Sequence, residues 1–263
     1  MRLRYYHVDA FTAEPFKGNP AGVCPLEKWL PDETLRRIAA ENNLSETAFF
    51  IREKDFFHLR WFTPEIEVDL CGHATLATAM VIFSELGQAG PSIEFQTLSG
   101  RLAAAKRGNI IELDFPSRPP SPCSAPEELV RALGRTPRET LKSRDYFAVF
   151  DSQAEVAALA PDMAALSRLD CLGVIATARG SDADFVSRFF APRAGIPEDP
   201  VTGSSHCSLI PFWAGRLGKS ELFARQLSRR GGELYCRNLG ERVAIGGQAV
   251  IYSRGELDVP GAS

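Results

Sequence analysis

Between Gly72 and Ser84 the chain carries no Asp, Glu, Lys or Arg. The stretch reads as a helix that is apolar on every side. Such a helix has no face to offer water and must be enclosed by protein. It is also well short of the roughly 20 apolar residues of a membrane span. The pattern therefore predicts a central buried helix starting at Gly72, with the rest of the chain wrapped around it. Upstream, residues 3–11 alternate and are aromatic, which predicts a strand. Phe16-Lys17-Gly18-Asn19-Pro20-Ala21-Gly22-Val23 is turn chemistry leading into another short strand. Pro31-Asp32-Glu33 opens a helix with acid in its first turn and Leu35, Ile38 and Ala39 on its apolar face. Strands are predicted at 46–51 and 56–62, and at 93–97, 102–106 and 110–115 after the central helix.

Residues 116–126, with five prolines, read as a linker. The expected division is therefore an N-terminal domain over 1–118 and a C-terminal domain over 119–263. In the second half, helices are predicted at 127–133, 154–159 and 163–169. Strands are predicted at 147–150, 174–177, 185–190, 233–237, 242–245 and 249–252. A second apolar helix starts at Gly203, with Pro211 inside it.

The second half repeats the first. Arg60-Trp61-Phe62-Thr63-Pro64 is echoed by Arg188-Phe189-Phe190-Ala191-Pro192. Each echo is followed by an acidic loop and a Gly with small polar residues: Asp69-Leu70-Cys71-Gly72-His73, then Asp199-Pro200-Val201-Thr202-Gly203-Ser204. Gln96-Thr97-Leu98-Ser99 is echoed by Gln226-Leu227-Ser228. The offset is 128 positions at the prolines and 131 at the glycines. A period this long is not a solenoid. It predicts two domains of one α+β fold, each a mostly antiparallel sheet rolled around one buried helix. Two like domains with a helix start apiece suggest one ligand cleft between them.

Charge and cysteine content narrow the function classes. Thirty basic and 33 acidic residues leave a net charge of −3, and the basic residues are scattered, so nothing calls for nucleic acid. The N-terminus has no apolar signal core. Six cysteines occur without a C-x-x-C pair, which fits a reducing compartment. A soluble cytoplasmic protein without membrane contact is expected.

Candidate chemistry sits at the helix starts. A helix start directs unpaired N–H groups outward and suits an anion. Gly72 and Gly203 mark the two starts. Glu46 begins a strand that continues Ala48-Phe49-Phe50-Ile51, and a carboxyl group in apolar company suits acid/base work. His73 follows the first Gly. Asp199 lies in Glu198-Asp199-Pro200, and Ser204 in the first turn of the second helix. His206 reads as a packed side chain. Cys71 is either a nucleophile or base, or an inert buried thiol. His73 and His206 belong to different copies, with no His-x-x-His and no clustered carboxylates. There is no phosphate loop and no GxGxxG. No metal and no organic cofactor is expected.

Four blocks resemble the PhzF-like family, the phenazine-biosynthesis-like isomerases: Gly18-Asn19-Pro20-Ala21, Asn43-Leu44-Ser45-Glu46-Thr47-Ala48-Phe49, Asp69-Leu70-Cys71-Gly72-His73-Ala74-Thr75, and Glu198 to His206. They stand in family order across the whole chain. The resemblance implies a diaminopimelate epimerase-type fold and a cofactor-free isomerisation by proton transfer on a small carboxylate. It implies an acid/base role for Glu46, with His73 and Asp199 as its catalytic companions. Asn19, Gly72, Gly203 and Ser204 would bind substrate. A homodimer is expected. The related epimerases use a cysteine before each helix. Cys71 stands in the first such position, and the second falls near Asp199-Pro200, where there is none. An epimerase or racemase using Cys71, or a non-catalytic binding member of the fold, are the alternatives.

Overall fold

The computed structural model describes residues 1–88 and 90–259. In chain order the elements are β1 (Arg2–Ala10), β2 (Asn19–Leu26), α1 (Asp32–Asn42), β3 (Glu46–Arg52), β4 (Phe57–Phe62), β5 (Glu67–Val68), α2 (Gly72–Glu85), β6 (Ser92–Thr97), β7 (Gly100–Arg107) and β8 (Ile110–Pro116). There follow β9 (Ser121–Pro122), α3 (Glu127–Leu133), β10 (Glu139–Lys142), β11 (Tyr146–Val149), α4 (Gln153–Ala157), α5 (Met163–Leu166), β12 (Val174–Arg179) and β13 (Phe185–Phe190). After a 3₁₀ turn at Pro192–Ala194 come α6 (Gly203–Leu217), β14 (Glu221–Gln226), β15 (Gly232–Asn238), β16 (Arg242–Gly247) and β17 (Ala249–Asp258).

Two compact units result. One is Met1–Asp114 together with the segment from Gly246 onward; the other is Phe115–Ile245. The first boundary falls near the linker read from the sequence. The second differs from a division into 1–118 and 119–263, because the C-terminal strand returns to the first unit. The reason is a backbone ladder: β17 pairs antiparallel with β1 from Arg2↔Asp258 to Ala10↔Ala249.

In the first unit, β1–β2, β3–β4, β6–β7 and β7–β8 pair antiparallel. β2–β3 and β4–β6 pair parallel. Parallel neighbours need a crossover, and the two helices supply it: α1 joins β2 to β3, and α2 lies between β4 and β6. α1 begins with Asp32 and Glu33 in its first turn, where acid complements the helix dipole, and ends at Asn43 in the left-handed region. It buries Leu35, Ile38 and Ala39 against Cys24, Phe49 and Phe62.

α2 is the buried helix that the pattern predicts. His73 to Ile82 are all buried except Met80, and the helix packs on β1, β2, β3 and β17. Its buried hydroxyls are satisfied within the helix. Thr75 Oγ1 donates to the Cys71 carbonyl at 2.6 Å and Thr78 Oγ1 to the Ala74 carbonyl at 2.7 Å.

The second unit repeats the pairing scheme. β10–β11 and β12–β13 are antiparallel. β11–β12 and β13–β14 are parallel, and β14–β15 is antiparallel. The crossovers are again helical, α4 with α5 and then α6. α3, α4 and α5 close an apolar layer over Ala148, Val174, Ala176, Val186 and Phe190. α6 runs unbroken through Pro211 to Gly218, which takes a positive φ of 63° as its C-cap.

The duplicated motifs are duplicated contacts. Arg60 grips Glu67 with two hydrogen bonds of 2.7 and 2.6 Å and covers the Phe62 ring. Arg188 grips Glu198 at 2.7 and 3.0 Å and covers Phe190. Ser99 Oγ donates to the Asp69 carbonyl at 2.7 Å, and Ser228 Oγ to the Pro200 carbonyl at 2.8 Å. Each serine ties the acidic loop to the strand end beyond the buried helix.

Candidate active site

In the first unit the site grows from two element starts. Glu46 is the first residue of β3 and lies beside Ala21 of the parallel strand β2. Asn19 begins β2, so it stands at the same end, fully buried and paired with Ala10 of β1. Its position is set by Gly18, whose φ is +65° and where a Cβ would come within 2.1 Å of the Ala10 carbonyl oxygen. No side chain fits there.

The start of α2 brings His73 to Glu46. Nε2 of the imidazole lies 3.2 Å from Glu46 Oε2, with the side chains only 7% and 12% exposed. Among the described residues neither atom has an aligned hydrogen-bond partner, so the pair is held by charge and proximity. On the ring's other side, Nδ1 lies 3.5 Å from the Cys71 sulfur. Burial disfavours a charged imidazole, but the Cys71 sulfur and the Glu46 carboxylate beside it outweigh that effect and hold the His73 pKa well above the ordinary histidine value. Burial and the Glu46 charge push the Cys71 thiol up, against the opposing pull of His73. Both the imidazole and the thiol of this cluster thus hold their protons more tightly than the free groups do.

Glu46, Cys71 and His73 offer donor atoms that lie within 4.8 Å of one another. Spacing along the chain does not reveal such a cluster, because its members come from a strand start and a helix start. Carboxylate and sulfur meet opposite ring nitrogens, however. An ion bound to one nitrogen would have to draw the other partner around the ring. The two partners flank the ring on opposite sides instead of converging on one point as a metal cage requires.

In the second unit the equivalent helix start is held differently. Asp199 is half-buried, and its Oδ2 accepts a 2.6 Å hydrogen bond from Thr202 Oγ1. Gln226 clamps the loop from β14: its Nε2 donates to the Asp199 carbonyl at 2.7 Å and to Thr202 Oγ1 at 3.1 Å, and its Oε1 accepts from Thr202 N at 2.9 Å. Gly203 is the first residue of α6. Ser204 is not the cap; Thr202 occupies that position. Ser204 Oγ instead accepts a 3.1 Å hydrogen bond from Arg144 Nη2.

His206 is fully buried, and its Nδ1–H donates to the Thr202 carbonyl at 2.7 Å. Burial lowers its pKa to about 4. It is a packed, neutral histidine, as the sequence suggested. Sequence reasoning passed over Gln226, Thr202 and Arg144. The echo of Gln96-Thr97-Leu98-Ser99 in Gln226-Leu227-Ser228 was the available signal for the first of these. Nothing in the sequence marked Arg144.

A duplicated α+β fold wound on buried helices is the fold of PhzF proteins, and more distantly related epimerases share it. The phenazine biosynthesis-like protein family model, PhzC-PhzF, matches residues 8–255, and the chain belongs to that family. An uncharacterized isomerase of Pseudomonas aeruginosa is 53% identical over 98% of this chain and 99% of its own. A human phenazine biosynthesis-like domain-containing protein is 39% identical over 98% and 99%. Among solved structures, a PhzF-family phenazine biosynthesis protein from Enterococcus faecalis is 49% identical, covers 98% of this chain and 100% of that one, and superposes with a TM-score of 0.97. A hydroxyproline epimerase of Agrobacterium vitis shares the fold at 12% identity, 97% and 91% coverage and a TM-score of 0.60. The family reading is thus an isomerase. Among the described residues no helix is long and apolar enough to cross a membrane.

Proposed function

We propose that this chain is a cofactor-independent isomerase that moves a proton on a small carboxylate-bearing metabolite. Glu46 removes a proton from carbon and returns it elsewhere on the same molecule. His73, 3.2 Å away, holds the substrate and polarises it. Asp199, Asn19, Gly72, Gly203 and Ser204 keep the companion and substrate-binding roles that the family resemblance implies, and the expected assembly is a homodimer. The observation that carries the reading is the buried Glu46–His73 pair, close but unaligned. A carboxylate committed to a strong hydrogen bond would be a poor base, whereas this one keeps a lone pair for substrate.

The test is solvent-deuterium uptake into a panel of small carboxylates bearing an acidic C–H, read by mass spectrometry. Wild type is expected to label at least one of them. Glu46→Gln keeps the shape but cannot shuttle a proton, and is expected to lose on the order of 10²–10⁴ in rate. Cys71→Ala is expected to slow the exchange far less than Glu46→Gln does. A second reading rests on the sulfur 3.5 Å from His73: an epimerase or racemase with Cys71 as a base. If Cys71→Ala abolishes exchange and Glu46→Gln retains it, that second reading replaces the first.

A further inference from the structure

We propose that the residue preceding each buried helix, Cys71 before α2 and Thr202 before α6, is a positioning residue for the polar side chain at that helix start: Cys71 for His73 and Thr202 for Asp199. The inference rests on the isomerase reading and adds two residues to it.

The argument begins with what these positions ordinarily do. An N-cap side chain normally accepts a hydrogen bond from a backbone N–H two or three residues on. Both residues stand at N-cap positions with extended backbones, φ −143° for Cys71 and −111° for Thr202, and neither caps its helix with its side chain. Threonine is a good cap, so its diversion costs the helix a donor's partner. In both copies the side chain goes to the group assigned to substrate. Cys71 Sγ lies on the Nδ1 side of His73 at 3.5 Å, within hydrogen-bonding reach of that nitrogen. That turns Nε2 toward Glu46. Thr202 Oγ1 gives its proton to Asp199 Oδ2 at 2.6 Å and accepts one from Gln226 Nε2 at 3.1 Å.

The surroundings leave little freedom. Cys71 is 6% exposed, Thr202 5% and Gln226 1%. A buried ring or carboxylate held from one side presents its other side in one orientation. The geometry differs between the two: Cys71 reaches the residue two positions on, inside its helix, and Thr202 the residue three positions back, in the loop before its helix. What the two share is an N-cap side chain that leaves the helix uncapped and bonds a neighbouring polar side chain instead.

Two measurements test the proposal. The first needs no substrate: ¹⁵N NMR of histidine-labelled protein, with the His73 ring signals assigned by their loss in His73→Asn. Cys71→Ala is expected to shift the Nδ1 signal and speed exchange of its proton. Cys71→Ser, which keeps an acceptor, is expected to restore both in part. The second is steady-state kinetics on the carboxylate that labels in the deuterium assay. Losing one hydrogen bond of ordinary strength is expected to lower kcat about three- to tenfold, with KM nearly unchanged, in Cys71→Ala and Thr202→Val. Cys71→Ser and Thr202→Ser are expected to recover most of it. Unmoved ring signals with unchanged kcat in both variants overturn the positioning role. If wild type labels no carboxylate while the ring signals of Cys71→Ala still move, the isomerase reading falls and the hold of Cys71 on His73 stands.

Discussion

His206 and His73 show how one residue type is shifted in opposite directions by its neighbours. Both sit near the start of a buried helix. His73 has a carboxylate and a sulfur beside it, and they outweigh burial and hold its pKa well above the ordinary value. His206 has a carbonyl on Nδ1 and the Phe185 ring beside it, and burial leaves it neutral, with a pKa of about 4 against an ordinary 6.5. The sign of its effect on stability follows. Between those values the unfolded chain binds a proton that the native state refuses, so stability is complete above about 6.5 and falls as the pH drops toward 4. The full difference is on the order of 3 kcal/mol. His206→Asn keeps a donor for the Thr202 carbonyl and cannot titrate. Urea denaturation across that interval is expected to show a flatter slope in the variant, at lower absolute stability because part of the ring's volume is lost. Equal slopes would remove His206 from the account. At this scale the sequence put Glu46, His73 and Asp199 forward as expectations from their places beside predicted element starts, and the fold brings Glu46 to His73. It could not show that the Cys71 sulfur faces the His73 ring, because that depends on the backbone angle at the cap.

Elements were legible where the period was strong. β3, α1, α2 and α3 fall where the apolar pattern puts them. β10 did not show, because Glu-Thr-Leu-Lys has one fully buried position. β14 did not show because its inward positions are Leu222, Ala224 and Gln226, and only the first is strongly apolar. The parallel pairs were also hidden. They follow from helical crossovers, whereas the apolar pattern predicts a mostly antiparallel sheet. The arginine clasps explain how short elements hold. Arg188 bonds Glu198 twice and reaches the carbonyls of Val156 and Leu159 at 3.2 and 2.6 Å, tying β13 to the end of α4. It is 12% exposed and Glu198 21%. Arg188→Met keeps the stem and leaves the carboxylate and carbonyls without the guanidinium. The expected loss is about 2–4 kcal/mol, below that of a fully buried pair. Thermal unfolding of the variant checks it, and a Tm within a degree or so of wild type would show that the clasp contributes nothing. Gly18→Ala is expected to do comparable damage, because a Cβ there meets backbone at 2.1 Å and the positive φ adds strain.

At the scale of the whole chain, the first unit is made from both ends of the sequence. β17 covers the full length of β1 and also packs on α2. Met1 N donates to the Val259 carbonyl at 2.6 Å, and Val259 N to the Met1 carbonyl at 3.0 Å. The second unit, by contrast, is one continuous segment. A pattern of apolar positions shows that residues 249–252 form a strand, but it does not say which sheet receives it, because backbone pairing carries no side-chain signature. That is why the return of the chain to the first unit could not be read from the sequence. A cut at the linker therefore leaves the first unit incomplete. A fragment of residues 1–118 lacks β17, so the ladder groups of β1 that it covers are open and part of the apolar surface of α2 is exposed to water. Bare edges of that kind favour aggregation. The fragment is expected to be insoluble or to unfold without a cooperative transition. Joining residues 246–259 ahead of Met1 through a short Gly/Ser linker restores β17 in its native pairing, since the two ends already hydrogen-bond. That permuted unit is expected to fold and to unfold cooperatively in urea. Equal cooperativity in the fragment without β17 would show that the strand is dispensable and that the linker is the true edge of the unit.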